Sequence, residues 1–237
     1  MSTYRIEEDC LGQIKVEADK YWKSQTQRSL ENFKIGQELM PASLIHSFAI
    51  LKEACAKANL HFNKITEKQC EAIVEICQRI ENGHYLDQFP LHVWQTGSGT
   101  QTNMNANEVI ANRAIEILGG EKGDYTIVHP NDHVNMSQST NDVIPTAGKI
   151  TAIKLLQGAN FQLTRLIGAL RKKEKEFDHI LKMGRTQMQD AVPIRLGQEF
   201  GAYRAVVERD LGRMTHITDE LMYVNMGGTA IGTCINA

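Results

Sequence analysis

The chain has 237 residues, of which 42% are hydrophobic and 23% charged, a composition typical of a globular protein. Its formal net charge is -2 at pH 7, so no broad basic surface for nucleic acid is expected. No stretch approaches the roughly 20 apolar residues of a membrane span, and acids stand where a secretion signal would be basic and then apolar. We therefore expect a cytoplasmic protein whose partner is a small molecule, neither nucleic acid nor membrane.

The five cysteines indicate neither a disulfide framework nor a metal site. Their number is odd, and they lack the short paired spacings of zinc ligands or thiol redox motifs. Reduced thiols are therefore expected. Cys70 and Cys77 lie seven residues apart in one predicted helix, hence on one face, and we predict that they pack in the interior. We expect no metal and no cofactor.

Two helices are predicted in the first third of the chain. The run 22–29, WKSQTQRS, fits neither helical nor strand periodicity and is predicted to be extended or a loop. From Ser43 onward apolar residues recur at three- and four-residue steps, which predicts an amphipathic helix. A second helix is predicted to begin at Thr66, because Gln69 three residues on completes a capping box, and to end at Gly83.

Three further helices are predicted, of which the last two are much the longest. Residues 84–102 break the pattern, and a helix follows from about Asn103 to Leu118. Two long apolar stripes, Val143–Phe177 and Leu196–Val224, flank a polar turn at Gly184–Asp190. No strand alternation or hairpin signal stands out. The sequence therefore predicts an all-α fold, with an N-terminal helical domain (1–138) and the first part of a central long-helix bundle (139–237).

Six consecutive polar residues, Ser137–Asp142, directly precede the first long stripe. One such side chain satisfies an orphan N–H at a helix start, so the cluster leaves hydroxyl and amide groups over. A helix N-terminus carries partial positive charge and binds carboxylates or phosphates readily. The run indicates either an anion site or a helix cap with more polar residues than capping requires, and this stretch alone does not distinguish the two.

Three polar stretches interrupt the helices, at 96–107, 137–141 and 184–189, and all are rich in hydroxyl and amide groups. This composition favours recognition of negative charge by neutral donors and catalysis by electrostatic stabilisation. A phosphate-binding P-loop is excluded, because GSGT at Gly97 is not followed by Lys-Ser/Thr. His129 and His133 lie four apart, but Pro130 separates them and no third metal ligand is evident.

Four long motifs in order resemble the fumarase and aspartase superfamily, specifically the branch of class II fumarate hydratases and aspartate ammonia-lyases. They are QTGSGTQTNMNANEVIANRA (Gln95–Ala114), HPNDHVNMSQSTNDVIPTA (His129–Ala147), GRTQMQDAVPIRLGQEF (Gly184–Phe200) and NMGGTAIGT (Asn225–Thr233). The resemblance implies a homotetramer whose long helices form a shared bundle. It also implies active sites assembled from three subunits.

The resemblance also implies roles for individual residues. Carboxylates of a small dicarboxylate substrate (aspartate, fumarate or malate) would be bound by Ser98, Thr100, Asn103, Ser139, Thr140 and Asn141. The catalytic residues would be Thr186 and Gln187, and a second anion site would comprise His129, Asn131 and Asp132. Removing a proton beside a carboxylate creates an aci-carboxylate with extra negative charge, which waiting hydroxyl, amide and N–H donors stabilise.

The motifs mix features of two reactions. GSGTQT and the QTQRS at 25–29 resemble the hydratases, whereas the QSTND spelling and Gln187 resemble the ammonia-lyases. Hydratases have histidine where Gln187 stands, and an amide cannot exchange a proton near pH 7. We therefore predict elimination of ammonia from L-aspartate to give fumarate, with hydration of fumarate to L-malate as the alternative.

A third alternative is a truncated, non-catalytic chain that only binds or assembles. In the family a mobile loop reading GSSxMPxKxNP carries the serine base, and no such sequence occurs in these 237 residues. We therefore expect the chain to be an N-terminal portion that is inactive by itself. Three positions depart from the family's pattern: Lys23 for glycine, Met136 for lysine and Cys234 for glycine.

Overall fold

The chain is predominantly helical, with two short hairpins. A computed structural model describes residues 3–235 and 237. In chain order its elements are β1 (Tyr4–Asp9), β2 (Gly12–Glu17), α1 (Ser24–Asn32), α2 (Ala42–His61), α3 (Glu67–Glu81), α4 (Thr100–Ile117), α5 (Thr140–Glu176), β3 (Leu181–Thr186), β4 (Gln189–Arg195) and α6 (Leu196–Leu221). A 3₁₀ turn covers Leu86–Gln88 and a π-turn covers Pro130–Val134. The predicted all-α class is confirmed.

Contacts divide the chain into two compact units. The first contains the residues up to Thr151 together with Val224–Ala237, and the second is Ala152–Tyr223. The predicted domains, 1–138 and 139–237, stay a prediction. Within the described residues, no helix has both the length and the apolar character of a membrane span.

The core of the first unit lies between α2, α3 and α4. Phe48 of α2, Ile73 and Ile76 of α3 and Val109 of α4 are each at most 1% exposed. Complete burial of one such side chain contributes about 1.5–3 kcal/mol. Cys70 and Cys77 are also buried, as their spacing on one face predicts.

Helix α3 begins as predicted. The Thr66 hydroxyl accepts a hydrogen bond from the Gln69 N–H at 3.3 Å, and the Thr66 N–H donates to the Gln69 side chain at 3.0 Å. Both bonds of the capping box are therefore present. Each satisfies a polar group that the helix start would leave without an intrahelical partner.

Helix α1 contradicts the prediction of an extended segment at 22–29. Its N-terminus has no local side-chain cap, and its donors bind a carboxylate 82 to 85 residues away. The Glu108 carboxylate accepts from the Lys23 and Gln25 N–H groups at 2.9 Å each, and from the Thr26 N–H at 3.1 Å and hydroxyl at 2.5 Å. The cap is long-range, so local periodicity could not reveal it.

The first hairpin also contradicts the prediction, which included no strands. Strands β1 and β2 pair antiparallel, with Tyr4 opposite Glu17 and Asp9 opposite Gly12. On β1 the usual alternation is inverted, because Tyr4 is exposed and Glu7 is buried. The Glu7 carboxylate accepts from Arg5 Nε at 2.7 Å and from the Tyr125 hydroxyl at 2.9 Å. A strand that buries a satisfied carboxylate does not give an apolar period of two.

The second unit contains most of α5, the second hairpin and α6. The rings of Phe177 and Phe200 lie 5.3 Å apart, and the Arg204 Nε donates to the Glu174 carboxylate at 2.6 Å. Many large apolar side chains of α5 and α6 are exposed in the single chain: Leu155, Phe161, Leu166, Tyr203, Val206 and Ile217.

Candidate active site

The start of α5 has a satisfied backbone but free hydroxyl groups. The buried Asp142 carboxylate accepts from the Ser139 N–H at 2.8 Å and from the Thr229 N–H at 3.1 Å. The Ser139 hydroxyl accepts only a long bond, 3.5 Å from the Asn141 nitrogen. The Thr140 hydroxyl makes no hydrogen bond with any described residue. Two hydroxyl groups at the positive end of a helix are therefore available to an anion.

Residues 225–230 are bound to the same helix start. Pro145 has no N–H, so the Asn141 carbonyl oxygen lacks its usual helical donor. The Asn225 side chain donates to that oxygen at 2.9 Å instead. In return the Asn141 side chain donates to the Ala230 carbonyl oxygen. Unlike Thr140, Asn141 therefore already has a partner within the chain.

The loop of the first motif lies against α5. Gly99 has φ +74°, and a Cβ atom there would come within 2.7 Å of the Ile144 side chain. Glycine meets both constraints, the left-handed backbone and the close approach. On either side of it, the Ser98 and Thr100 hydroxyls lie 3.1 Å apart. The structure therefore brings the hydroxyls of the first motif to the helix that carries those of the second.

Asn103 joins the two motifs in the interior. It is 1% exposed, and its side-chain nitrogen donates to the Asn135 side-chain oxygen at 3.2 Å. Its own side-chain oxygen is buried without a hydrogen-bond partner among the described residues. Buried polar atoms are nearly always bonded, so this atom indicates a polar site rather than plain packing.

His129, Asn131 and Asp132 lie together at the π-turn. His129 Nδ1 lies 3.2 Å from the N–H groups of both Asn131 and Asp132 and 3.2 Å from the Asp132 carboxylate. Asn131 and Asp132 are exposed. The predicted second anion site is thus a local cluster, and its role as an anion site stays a prediction.

A cleft of about 360 Å³ borders that cluster. Hydrogen bonds from Arg28, both at 2.9 Å, lower the pKa of the Asp9 carboxyl in its wall to about 2. Lys23, one of the departures from the family's pattern, also lines the cleft, and its ammonium group donates to the Glu8 carbonyl oxygen at 2.9 Å. The lining therefore contains charges of both signs and does not by itself select an anion.

Thr186 and Gln187 lie at the tip of the second hairpin. Strands β3 and β4 pair antiparallel, with Thr186 opposite Gln189. The two residues between them, Gln187 and Met188, have φ values of 51° and 62°, the left-handed pair of a type I′ turn. Asn-Gly is the usual sequence there, so the hairpin was not predicted. Both predicted catalytic residues are exposed.

Replacing Met188 by glycine is expected to raise the free energy of unfolding by about 0.5–1 kcal/mol. The Met188 side chain is 97% exposed, so little packing is lost. Relief of left-handed strain, about 1–2 kcal/mol, exceeds the added freedom of the unfolded chain, about 0.4–1 kcal/mol. Urea unfolding of the 237-residue chain measures the change. Met188→Ala keeps the Cβ atom and should unfold as the wild type does; equal midpoints for both variants would contradict the prediction.

Several residues that hold this site together were not predicted from the sequence. Lys52 bonds to Asn135 and Gln138, while Asp142, Asn225 and Thr229 join the start of α5 to the chain near its end. One signal was present for Lys52, since it lies on the buried face of α2 in step with Phe48. Among the described residues no group of three or more His, Cys, Asp or Glu side chains is arranged to hold a metal.

Similarity to known proteins extends along almost the whole chain. A family model described as lyase matches residues 12–237. The chain is 51% identical over 234 residues to a protein named fumarate hydratase class II 2 from Bradyrhizobium diazoefficiens, and covers 50% of its length. It is 50% identical over 235 residues to fumarate hydratase class II from Campylobacter jejuni, and covers 51% of that protein. These alignments include 98% and 99% of the present chain.

Solved structures give the same result. Fumarate lyase:delta crystallin from Brucella melitensis has a TM-score of 0.94 at 46% identity, with 99% of this chain and 52% of that chain covered. A class II fumarase from Schistosoma mansoni has a TM-score of 0.92 at 40% identity, with 99% and 50% covered. The chain therefore spans about half the length of the relatives that it matches.

Proposed function

The chain belongs to the lyase family whose model covers residues 12–237, within the fumarase/aspartase superfamily, and from this we propose that it forms part of a class II fumarate hydratase. The reaction is the reversible addition of water to fumarate to give L-malate. The observation that carries the proposal is the identity of about 50% to class II fumarate hydratases along nearly the whole chain. This similarity favours the hydratase over the aspartate ammonia-lyase that the motifs led us to expect, so the order of the two is reversed.

The free hydroxyl groups support the proposed chemistry. Taking a proton from the carbon beside a carboxylate of malate places a second negative charge on that carboxylate. Donors that already point to that place lower the barrier, because they need not reorganise. Ser139 and Thr140 at the start of α5 carry hydroxyl groups that could serve as such donors, and Thr100 at the start of α4 carries another, which lies 3.1 Å from that of Ser98. We propose that they bind the substrate carboxylates together with Ser98, Asn103 and Asn141.

Gln187 supports the ammonia-lyase as a second candidate. A histidine at this position exchanges a proton near pH 7, whereas an amide does not. Gln187 and Thr186 are exposed at a strained hairpin tip, an arrangement common where a side chain is directed toward a ligand. If the enzyme is a hydratase, we propose that Gln187 only orients the water molecule, and that proton transfer depends on other groups.

The exposed apolar faces of α5 and α6 support the proposed assembly. Apolar side chains along both helices have no cover within the described chain. Patches of this kind mark interaction surfaces. We propose a homotetramer in which these faces form the bundle and three subunits contribute to each active site. The binding-only alternative predicts that such an assembly forms but turns over neither substrate.

A chimaera tests the reaction. Residues 1–237 replace the matching half of the Campylobacter jejuni fumarate hydratase, which supplies the other half of the active site. We expect kcat/KM to be at least about tenfold higher with L-malate than with L-aspartate, measured by the absorbance of fumarate. A pocket that distinguishes the two leaving groups by hydrogen bonding stabilises the preferred transition state by about 1.4 kcal/mol or more, which corresponds to this factor.

The controls separate the candidates. Gln187→His in the same chimaera should raise turnover of malate more than that of aspartate. A folded chimaera that prefers aspartate would reject the hydratase and favour the second candidate. A folded, correctly sized tetramer inactive with both substrates would favour the binding-only alternative.

A further inference from the structure

Lys52 is a buried cation close to the candidate site. Its side chain is fully buried in α2, and it is the only lysine in that state within residues 3–235 and 237. Moving an ammonium group out of water costs several kcal/mol even after relaxation. An apolar side chain would fill the same place on the core face of α2 without that penalty. The charge therefore calls for an explanation beyond packing.

The ammonium group of Lys52 binds the chain just before α5. Its Nζ donates to the side-chain oxygens of Asn135 and Gln138, at 2.8 Å each. The same Asn135 oxygen accepts from the Asn103 side chain at 3.2 Å. Lys52 is thereby joined to one predicted substrate-binding residue through a shared acceptor, and to Ser139 through its sequence neighbour.

A buried carboxylate, that of Asp142, holds the other end of the 137–142 segment. Asp142 accepts from the Ser139 N–H and from the Thr229 N–H. The residues between the two charges, 137–142, include a left-handed residue, Ser137, with φ 61°. A segment with such a backbone keeps its conformation only where its surroundings determine it. Lys52 and Asp142 are the charged groups that provide those surroundings.

We propose that Lys52 is a positioning residue of the active site: through Asn135 and Gln138 its ammonium group fixes the 137–142 segment in the conformation that presents the Ser139 and Thr140 hydroxyls. The importance of those hydroxyls for substrate rests on the proposed function. The contacts of Lys52 do not, so the two can be tested separately.

The charge of Lys52 makes the segment sensitive to pH. Burial lowers the pKa of Lys52 to about 7. The groups that act on it are Cys55 of α2, Cys77 of α3 and Asp142 of α5. Burial raises the pKa of both thiols, which favours their neutral form. Below pH 7 the ammonium group donates strong, charge-assisted bonds, and above it a neutral amine donates weaker ones.

Hydrogen exchange of the 237-residue chain tests the positioning role. In Lys52→Met, amides in peptides covering 137–142 should exchange at least about tenfold faster, while α3 stays protected. In the wild type, protection of 137–142, corrected for intrinsic exchange, should fall several-fold between pH 6 and 8.5. Lys57→Met, which removes an exposed lysine of the same helix, should leave both results unchanged.

A second variant keeps the test decisive if Lys52→Met fails to fold. Gln138→Glu retains the size of the acceptor and gives it a charge, which should raise the pKa of Lys52 and move the fall in protection to higher pH. The variant also removes the bonds that Gln138 Nε2 donates to the Val134 and Met136 carbonyl oxygens, so the readout is the pH of the fall and not the level of protection. Unchanged protection in folded Lys52→Met, or a pH response that Gln138→Glu does not shift, would overturn the proposal.

The chimaera adds a kinetic readout. There Lys52→Met should raise KM for L-malate more than it lowers kcat, because a misplaced segment weakens binding of the substrate carboxylates. A changed exchange pattern with unchanged KM would retain the positioning role and reject substrate binding by the segment. A changed KM with unchanged exchange would overturn the positioning role.

Discussion

Replacing Glu108 by alanine is expected to lower the free energy of unfolding by about 3–5 kcal/mol, because the buried acceptor of four hydrogen bonds is lost. The carboxylate is fully buried and accepts from three backbone N–H groups and one hydroxyl at the start of α1. Alanine leaves those donors buried without partners, and each costs about 1–3 kcal/mol before relaxation. Urea unfolding of the 237-residue chain, monitored by circular dichroism, measures the loss.

Two controls distinguish the cap from a general effect of losing a carboxylate. Glu108→Gln keeps one acceptor oxygen and should destabilise by clearly less than alanine does. Glu71→Ala removes an exposed glutamate from α3 and should lie within about 0.5 kcal/mol of the wild type. If Glu108→Ala were no more destabilising than Glu71→Ala, the carboxylate would not be the cap of α1.

Replacing Thr140 by alanine in the chimaera is expected to lower kcat/KM for L-malate by about 10²–10³-fold, the effect of removing one donor from an oxyanion site. The Thr140 hydroxyl has no partner among the described residues and lies in the first turn of α5. It can therefore meet the developing charge without first breaking another bond. Because the proposed site also binds the carboxylate of the substrate itself, loss of this donor should raise KM as well as lower kcat.

The matched control is Thr126→Ala. The Thr126 hydroxyl is exposed in the same unit and bonds to its neighbour Asp124. This variant should keep wild-type kinetics. Thr140→Ala with kinetics equal to those of Thr126→Ala, in a chimaera of unchanged unfolding midpoint, would remove Thr140 from the proposed site.

Helices with local signals were predictable from the sequence. The start of helix α3 was predicted from Thr66 and Gln69, which lie three residues apart, and both hydrogen bonds of this capping box are present. The long helix α5 was predicted from its apolar repeat, although it begins three residues earlier than expected, at Thr140. In both cases the determining contacts lie within the helix or on one of its faces.

Elements that depend on distant partners were not predictable in this way. The start of α1 is satisfied by Glu108, and the buried carboxylate of β1 by Tyr125. Both partners lie outside the short stretch of sequence over which apolar periodicity is evaluated. The second hairpin was not predicted for a different reason: its turn places Gln187 and Met188 in backbone conformations that are usually adopted by asparagine and glycine.

The candidate site likewise contains some features with a local sequence signal and others that depend on distant residues. The hydroxyl-rich helix start was predicted from the run of polar residues. In the structure the Ser139 hydroxyl accepts only a long bond and the Thr140 hydroxyl bonds to no described residue, while their role in a site stays a prediction. The groups that hold this start in place are Lys52, Asp142 and the segment 225–230, which meet it only in three dimensions. The roles of Thr186 and Gln187, and of the cluster around His129, stay predictions from the resemblance.

The long-range cap of α1 has a consequence for the order of events during synthesis. When the first 32 residues have left the ribosome, the helix start at Ser24 has no acceptor, and none exists until Glu108 has also emerged. At about 5–20 residues per second this interval lasts several seconds. Throughout it the N-terminal hairpin and α1 remain open to chaperones and proteases, so nascent chains arrested before and after Glu108 leaves the exit tunnel should differ sharply in their resistance to cleavage near residue 24.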